Sequence, residues 1–174
     1  MNTQKKQTGF TILELLIIIV VIGIISTIVI VSYRGVQGQA HDVSIQNDLK
    51  DIASKLELYK LDNKVYPAGP TQLATLGVKV SKNSYGNHML SGGVYYNLLY
   101  CRMPAAAPTT YALVAFSKSG NDLMFVAGRG LSPYVGSKTG SSGICTTAGV
   151  PLSGAPSERD FFYNANIWQS FVAP

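Results

Sequence analysis

The chain has 174 residues, long enough for one domain with a core of its own and one further element. Apolar residues make up 47% and charged residues only 13%, against roughly a quarter in ordinary soluble domains. The net charge of +5, two units of which sit on Lys5 and Lys6, is too mild to argue for nucleic-acid binding from electrostatics, and two cysteines without CxxC spacing or a nearby histidine cluster do not make a metal site.

The chain opens on a short polar, basic stretch that ends at Gly9. From Phe10 it turns apolar, and over residues 15–31 only Gly23, Ser26 and Thr27 are not large aliphatics. A helix from Phe10 to Tyr33 would be about 36 Å long, enough to cross a hydrocarbon core. Lys5 and Lys6 precede it, which places the N-terminus in the cytoplasm and everything after Tyr33 beyond the membrane. Three readings compete for this block. A secretory signal peptide needs an apolar region of about 7–15 residues and a small-x-small cleavage site, and this block is longer and lacks one. A plain membrane anchor fits the length but leaves Glu14 unexplained, since an acid near the end of an apolar span costs roughly 1–3 kcal/mol unless paired. If the chain is cut between Gly9 and Phe10, a new α-amino group appears one helical turn from Glu14. The carboxylate can then neutralise that ammonium or a neighbouring subunit's, and the pairing would set the axial register of a helical bundle.

The run Lys5-Lys6-Gln7-Thr8-Gly9-Phe10-Thr11-Ile12-Leu13-Glu14-Leu15-Leu16 resembles the prepilin signal of type IV pilins and type II secretion pseudopilins. The resemblance implies a membrane peptidase that cuts after Gly9 and methylates Phe10, with Glu14 as the assembly glutamate. It also implies self-polymerisation into a filament, driven by an assembly platform and its ATPase. Many members of the family carry a proline later in the span that helps the helix stretch. Here no proline occurs before Pro67. Gly23, Gly35 and Gly38 are the helix-weakening residues of the region, each costing about 1 kcal/mol against Ala. Gly23 suits either local melting or close helix packing.

Beyond the span, Val43, Ile45, Leu49, Ile52, Leu56 and Tyr59 recur mostly three and four apart with charged residues between them, which predicts an amphipathic helix over 34–62. Asp51 and Lys55 are spaced as an i, i+4 pair. The helix should stop near Asp62 and Asn63, ahead of Pro67, giving about 80 Å from Phe10. Residues 63–93 read as a connection with a helical turn near 72–76. Strands are predicted over 94–101, 109–118 and 122–129, with a short one over 131–135. The second and third form a hairpin around Ser119–Gly120–Asn121. The whole is an α+β arrangement, one long helix on a small antiparallel sheet, as in pilin heads.

Residues 136–149 are rich in Gly, Ser and Thr and read as flexible, and residues 136–174 as a C-terminal segment pinned to the sheet. The tail carries Phe161, Phe162, Tyr163, Ile167, Trp168 and Phe171, which suit packing over the sheet or, more sharply, a ligand-binding aromatic patch. With the C-terminal part exported, Cys101 and Cys145 are expected to form a disulfide, and closing a loop of about 45 residues would contribute on the order of 4 kcal/mol at most. In the resembled family a disulfide often pins the C-terminal segment to the sheet.

No catalytic residues are identified: the serines lack a Gly-x-Ser-x-Gly elbow, no phosphate-binding Gly-rich loop occurs, and His41 and His88 stand alone. No cofactor is expected. Glu158 and Asp160 suggest calcium, but two carboxylates fall short of six to eight oxygens. The expected function is therefore a structural subunit of a type IV pilus-like filament serving adhesion, motility or DNA uptake. The alternative is the major pseudopilin of a type II secretion system. A DNA-binding competence pilin would need Arg102, Lys118, Arg129 and Lys138 to cluster. A tip subunit and a membrane-anchored enzyme are the remaining readings.

Overall fold

The computed structural model describes residues 9–90, 94–104, 106–136, 138, 140–150, 159–164, 167–169 and 172–173. It divides into two compact units, Met1–Gln37 and Gly38–Pro174. Helix α1 (Ile12–Asn63, 52 residues) enters both. In the first unit the large apolar side chains from Phe10 to Val36 that are described all face outward.

In the second unit α1 becomes one-sided. Ile45, Leu49, Ile52 and Leu56 are fully buried, while Asn47, Lys50, Ser54 and Glu57 face solvent. Side chains three and four apart share a stripe of the helix, which is the periodicity the sequence carries. Val43, predicted on the buried face, is 54% exposed. It lies two residues before Ile45, about 200° around the helix, so both cannot face the core. The predicted pair Asp51–Lys55 forms at 3.0 Å, and Lys55 also donates to the Gly77 carbonyl at 2.8 Å. The helix stops where Lys64 takes a left-handed φ of 67°, with its N–H returning to the Lys60 carbonyl at 2.8 Å.

The connection predicted over 63–93 holds more structure than one helical turn. It carries α2 (Pro70–Ala74), β1 (Val78–Lys79), a 3-10 turn (Lys82–Ser84) and β2 (His88–Leu90). These pieces are too short to show a periodicity, and their partners come from elsewhere in the chain. β1 pairs in parallel with β11 (Val172–Ala173), and β2 pairs antiparallel with β3 (Val94–Tyr96).

The main sheet has five antiparallel strands: β4 (Leu98–Met103), β5 (Thr110–Ala115), β6 (Leu123–Val126), β7 (Gly130–Pro133) and β8 (Arg159–Phe161), in the order β7-β6-β5-β4-β8. β9 (Tyr163–Asn164) and β10 (Ile167–Trp168) form a separate small pair. The strand predicted over 94–101 is two strands parted at Asn97, and only the second joins the main sheet. The hairpin of β5 and β6 turns through Gly120, whose φ is +90° and whose N–H reaches the Ser117 carbonyl at 3.1 Å.

Alternate residues of a strand face opposite sides of its sheet. Leu98, Tyr100, Tyr111, Leu113 and Ala115 pack with Ile45, Leu49, Ile52 and Leu56 of α1, joined by Leu73, Val78, Phe162 and Val172. Leu99, Cys101, Ala112, Val114 and Phe116 form a second core with Tyr96, Tyr134, Ile144, Cys145, Ala148 and Val150. A sheet covered on both faces explains why 98–101 and 111–116 read as unbroken apolar runs rather than alternating ones.

The cover on the second face includes α3 (Ser141–Thr147), in the stretch whose composition reads as flexible. Ile144, Cys145 and Ala148 are all fully buried, and Cys145 is disulfide-bonded to Cys101 of β4 with their Cα atoms 5.5 Å apart. Burial and the covalent tie, not intrinsic propensity, therefore make this helix. Arg129 donates to the Ala148 carbonyl at its C-terminal end at 2.8 Å. In the tail, Phe162 is fully buried in the first core and Trp168 meets Tyr85 edge-on at 5.4 Å, so these two aromatics serve packing. Phe171 lies outside the described residues.

The contrast between Leu49 and Val43 is directly testable. Leu49→Ala is expected to cost about 2–5 kcal/mol in denaturant unfolding of the protein in detergent, whereas Val43→Ala stays within about 0.5 kcal/mol. Equal losses would place Val43 in the core after all.

Candidate functional site

The first turn of α1 is closed by two side chains. Thr11 donates its backbone N–H to Glu14 Oε2 at 3.0 Å and its hydroxyl to the same oxygen at 2.9 Å. In return the Glu14 N–H donates to Thr11 Oγ1 at 3.2 Å. This is a reciprocal cap: two N–H groups that a helix start leaves without partners are both satisfied. A carboxylate here also faces the positive end of the helix dipole. Glu14 is thus occupied by its own first turn. The sequence carries the signal as Thr11-x-x-Glu14 ahead of an apolar run, a pattern that the ion-pair reading of Glu14 leaves out. Gly9, Phe10 and Thr11 lie outside the helix, and the Phe10 side chain is 79% exposed.

Behind this cap α1 is long and apolar enough to cross a bilayer, and none of its most apolar window is buried. The hydroxyls of Ser26 and Thr27, set among the large aliphatics of 15–31, are satisfied locally. Ser26 donates to the Ile22 carbonyl and Thr27 to the Ile24 carbonyl, each at 2.7 Å. A span whose Ser26 and Thr27 hydroxyls bond to its own backbone is compatible with hydrocarbon. At Gly23 an added Cβ would meet nothing within 4 Å, so space alone does not demand the glycine.

Where α1 meets the sheet domain, two carboxylates hold it. Asp42 Oδ1 accepts from the Ser117 hydroxyl at 2.6 Å and the Ser119 hydroxyl at 2.5 Å, and Oδ2 accepts from Asn121 Nδ2 at 2.9 Å. Asp48 accepts from the Ser81 N–H at 2.7 Å, the Ser81 hydroxyl at 3.1 Å and the Tyr85 hydroxyl at 3.0 Å. His41, read from the sequence as solvated, is half-buried with Nδ1 3.3 Å from Ser84 Oγ. The two loops are tied to each other as well, with the Lys118 N–H on the Ser84 carbonyl at 3.0 Å and the Gly86 N–H on the Phe116 carbonyl at 2.9 Å. The partners of Asp42 lie 75 to 79 residues away in sequence, so no local pattern could have announced them.

The two carboxyls are shifted in opposite directions. Burial raises the Asp42 value, but hydrogen bonds from Ser117, Ser119 and Asn121, with the charge of His41, outweigh it and hold the group below its ordinary 3.8. For Asp48 burial dominates, and the bonds from Ser81 and Tyr85 do not cancel it, so the group stays above 3.8.

The remaining candidates separate. Arg102 is buried, Arg129 is bonded to the Ala148 carbonyl, Lys138 pairs with Asp122 at 2.5 Å, and Lys118 is exposed. Three of the four cations that a nucleic-acid patch would need are thus used inside the head. His88 packs against the Phe116 ring at 4.5 Å, and burial pulls its pKa down. Glu158 lies outside the described residues, and the Asp160 backbone is paired with Tyr100 in the sheet. Among the described residues, no group of three or more His, Cys, Asp or Glu side chains is placed to hold a metal ion.

Comparison with known proteins gives two family matches in tandem. The prokaryotic N-terminal methylation motif matches residues 4–30, and type II secretion system protein G matches residues 32–120. The chain is similar to proteins named type II secretion system core protein G in several bacteria. It is 33% identical over 92 residues to that of Vibrio cholerae, covering 53% of this chain and 63% of the relative. It is 34% identical over 80 residues to that of Pseudomonas aeruginosa, covering 46% and 56%. It is 34% identical over 76 residues to that of Escherichia coli K12, covering 44% and 52%. The matched stretch is therefore less than two thirds of the length of these relatives.

Two outcomes follow from the caps and carboxylates. Thr11→Ala should weaken the first turn of α1 by about 1 kcal/mol, seen as faster amide exchange over residues 13–16 in micelles. The contribution of Asp42, whose folded pKa is lowered, is present above 3.8 and is lost as pH falls through the folded value. Asp42→Asn should therefore flatten the loss of stability as pH falls below 3.8. Asp48→Asn should not flatten that loss, because a raised pKa makes the ionised form the weaker one.

Proposed function

Because the chain belongs to the type II secretion system protein G family, we propose that it is a major pseudopilin, the repeating subunit of a short filament that works with a secretion system. The observation that carries this reading is the protein G match over 32–120, following directly on the methylation motif at 4–30. From the sequence alone the type IV pilus subunit stands first and the pseudopilin second. The family and the named relatives reverse that order. Members of this family are structural subunits, and this chain is read as one.

In this reading a prepilin peptidase cuts after Gly9 and methylates the new N-terminal Phe10. The exposed, non-helical stretch at Gly9 and Phe10 supports it, since a peptidase needs an extended and reachable peptide bond. Before assembly α1 crosses the cytoplasmic membrane once, with its N-terminus in the cytoplasm. An assembly platform and its ATPase then move the subunit into the filament, where the apolar span exchanges lipid for the spans of neighbouring copies. Glu14, capped by Thr11 in the precursor, turns to the ammonium of Phe10, its own or a neighbour's. The exchange replaces a neutral N–H and a neutral hydroxyl by a charged ammonium, a stronger partner in hydrocarbon.

The deciding experiment is intact-mass measurement and N-terminal sequencing of the protein from cells carrying the peptidase. The expected chain begins at a methylated Phe10, and replacing Gly9 should leave Met1 in place. A chain that still begins at Met1 with active peptidase would end the pseudopilin reading. With Phe10 established, loss of protein secretion on deletion separates a pseudopilin from a subunit of a long surface pilus.

A further inference from the structure

We propose that Asp42 and the turn at 117–121 form a latch: a polar fastening that lets residues 38–44 of α1 leave the head while the core from Ile45 onward stays folded. Its use, letting the helix change course as a subunit passes from bilayer to filament, rests on the filament-subunit reading above.

Four observations carry the proposal. First, the grip changes character along α1. From Ile45 onward the helix is held by fully buried Ile45, Leu49, Ile52 and Leu56. From Gly38 to Ser44 no side chain is fully buried, and Val43 points outward. Second, the contacts that hold this stretch are polar and few. Asp42 takes three bonds from Ser117, Ser119 and Asn121, and His41 lies 3.3 Å from Ser84. Asn121 is exposed and Asp42 is half-buried, so water can reach the carboxylate as the latch opens, while the buried Ser117 hydroxyl keeps Ser119 Oγ as a partner at 3.0 Å. Third, the helix here is weak on its own account. Gly38, within the stretch, is a poor helix former, whereas residues 49–56 contain no glycine. Fourth, the receiving turn holds together without the helix. The Ser119 N–H reaches Ser117 Oγ at 3.1 Å, the Asn121 N–H reaches Ser119 Oγ at 3.0 Å, and the Ser117 N–H reaches Asp122 at 3.1 Å. A preformed socket can release and recapture the carboxylate without refolding.

A fastening of this kind opens locally, below the free energy of global unfolding. The first measurement is amide hydrogen exchange on the full chain in detergent micelles. Amides of residues 40–45 should exchange faster than those of 49–56. In Asp42→Ala they should exchange roughly tenfold faster again, with 49–56 unchanged. If 40–45 and 49–56 exchange at one rate, or if Asp42→Ala speeds both alike, the latch does not exist.

The second measurement locks it. An added Cβ at Gly38 would lie 3.4 Å from the Ser119 Cβ, close to the separation a disulfide needs. Gly38→Cys with Ser119→Cys, in cells with the full assembly machinery, should yield several-fold less filament, scored by chemical cross-linking of neighbouring copies in the cell envelope, than either single substitution. Equal filament from the locked and single variants would overturn the role in assembly. No filament from the wild type would instead overturn the filament reading, and with it the latch's use, while the exchange result still decides whether the latch opens.

Discussion

Ile45, Leu49, Ile52 and Leu56 enter the sheet domain between Tyr100, Tyr111 and Leu113, and the rest of the head is assembled around that contact. Burying each of these aliphatic side chains contributes about 1.5–3 kcal/mol, more than any short strand or turn of this fold contributes by itself. α2, β1 and β11 each send one side chain, Leu73, Val78 and Val172, into the same cluster. Two-residue strands such as β1 and β11 have no stability of their own. They exist because α1 and the sheet supply a surface on which to pair.

The same helix has a second obligation. Before Gly38 it carries apolar side chains all round, and those described are exposed. Such a segment is tolerable only in lipid or against other apolar helices. One backbone therefore passes from a surrounding where side-chain direction is irrelevant to one where it decides everything. Between them stand residues 38–44, held by a carboxylate rather than by hydrocarbon. A charged fastening at that place suits a boundary, because it is strong when dry and exchangeable when wet.

The long helix was legible because its head-packed stretch is long enough to express a period, and the central strands because of their β-rich composition rather than any alternation. Ile45, Leu49, Ile52 and Leu56 announce a face at helical spacing, and Thr110–Ala115 announces a strand through its β-rich composition. Val43 misled because a mixed spacing of two and four can be fitted to a helix while belonging to its other side. α3 was hidden for a different reason. Ser141–Thr147 has the composition of a loop, and its helix depends on Ile144, Cys145 and Ala148 meeting a sheet face built from residues far away. At the candidate site, Gly9, Phe10 and Glu14 stood out through junction, charge and span together, and the Thr11 cap was readable as a spacing. Asp42 and Asp48 were not, since a charged residue on an amphipathic helix looks like any solvated one until its distant donors are known.

The two-sided sheet has a consequence for how such a chain can change over time. The protein G match stops at residue 120, while Tyr134, Ile144, Cys145, Ala148 and Val150, which roof the second face, all come later. A pleated sheet keeps its two faces chemically separate, because neighbouring residues along a strand never share a side. The roof can therefore drift or acquire new surface chemistry, provided that it still shelters Leu99, Val114 and Phe116 and keeps the Cys145 tie to Cys101. The wall behind it, and the helix fastened to that wall, need not register the change. A lineage could in this way diversify what a subunit displays without renegotiating how α1 is held.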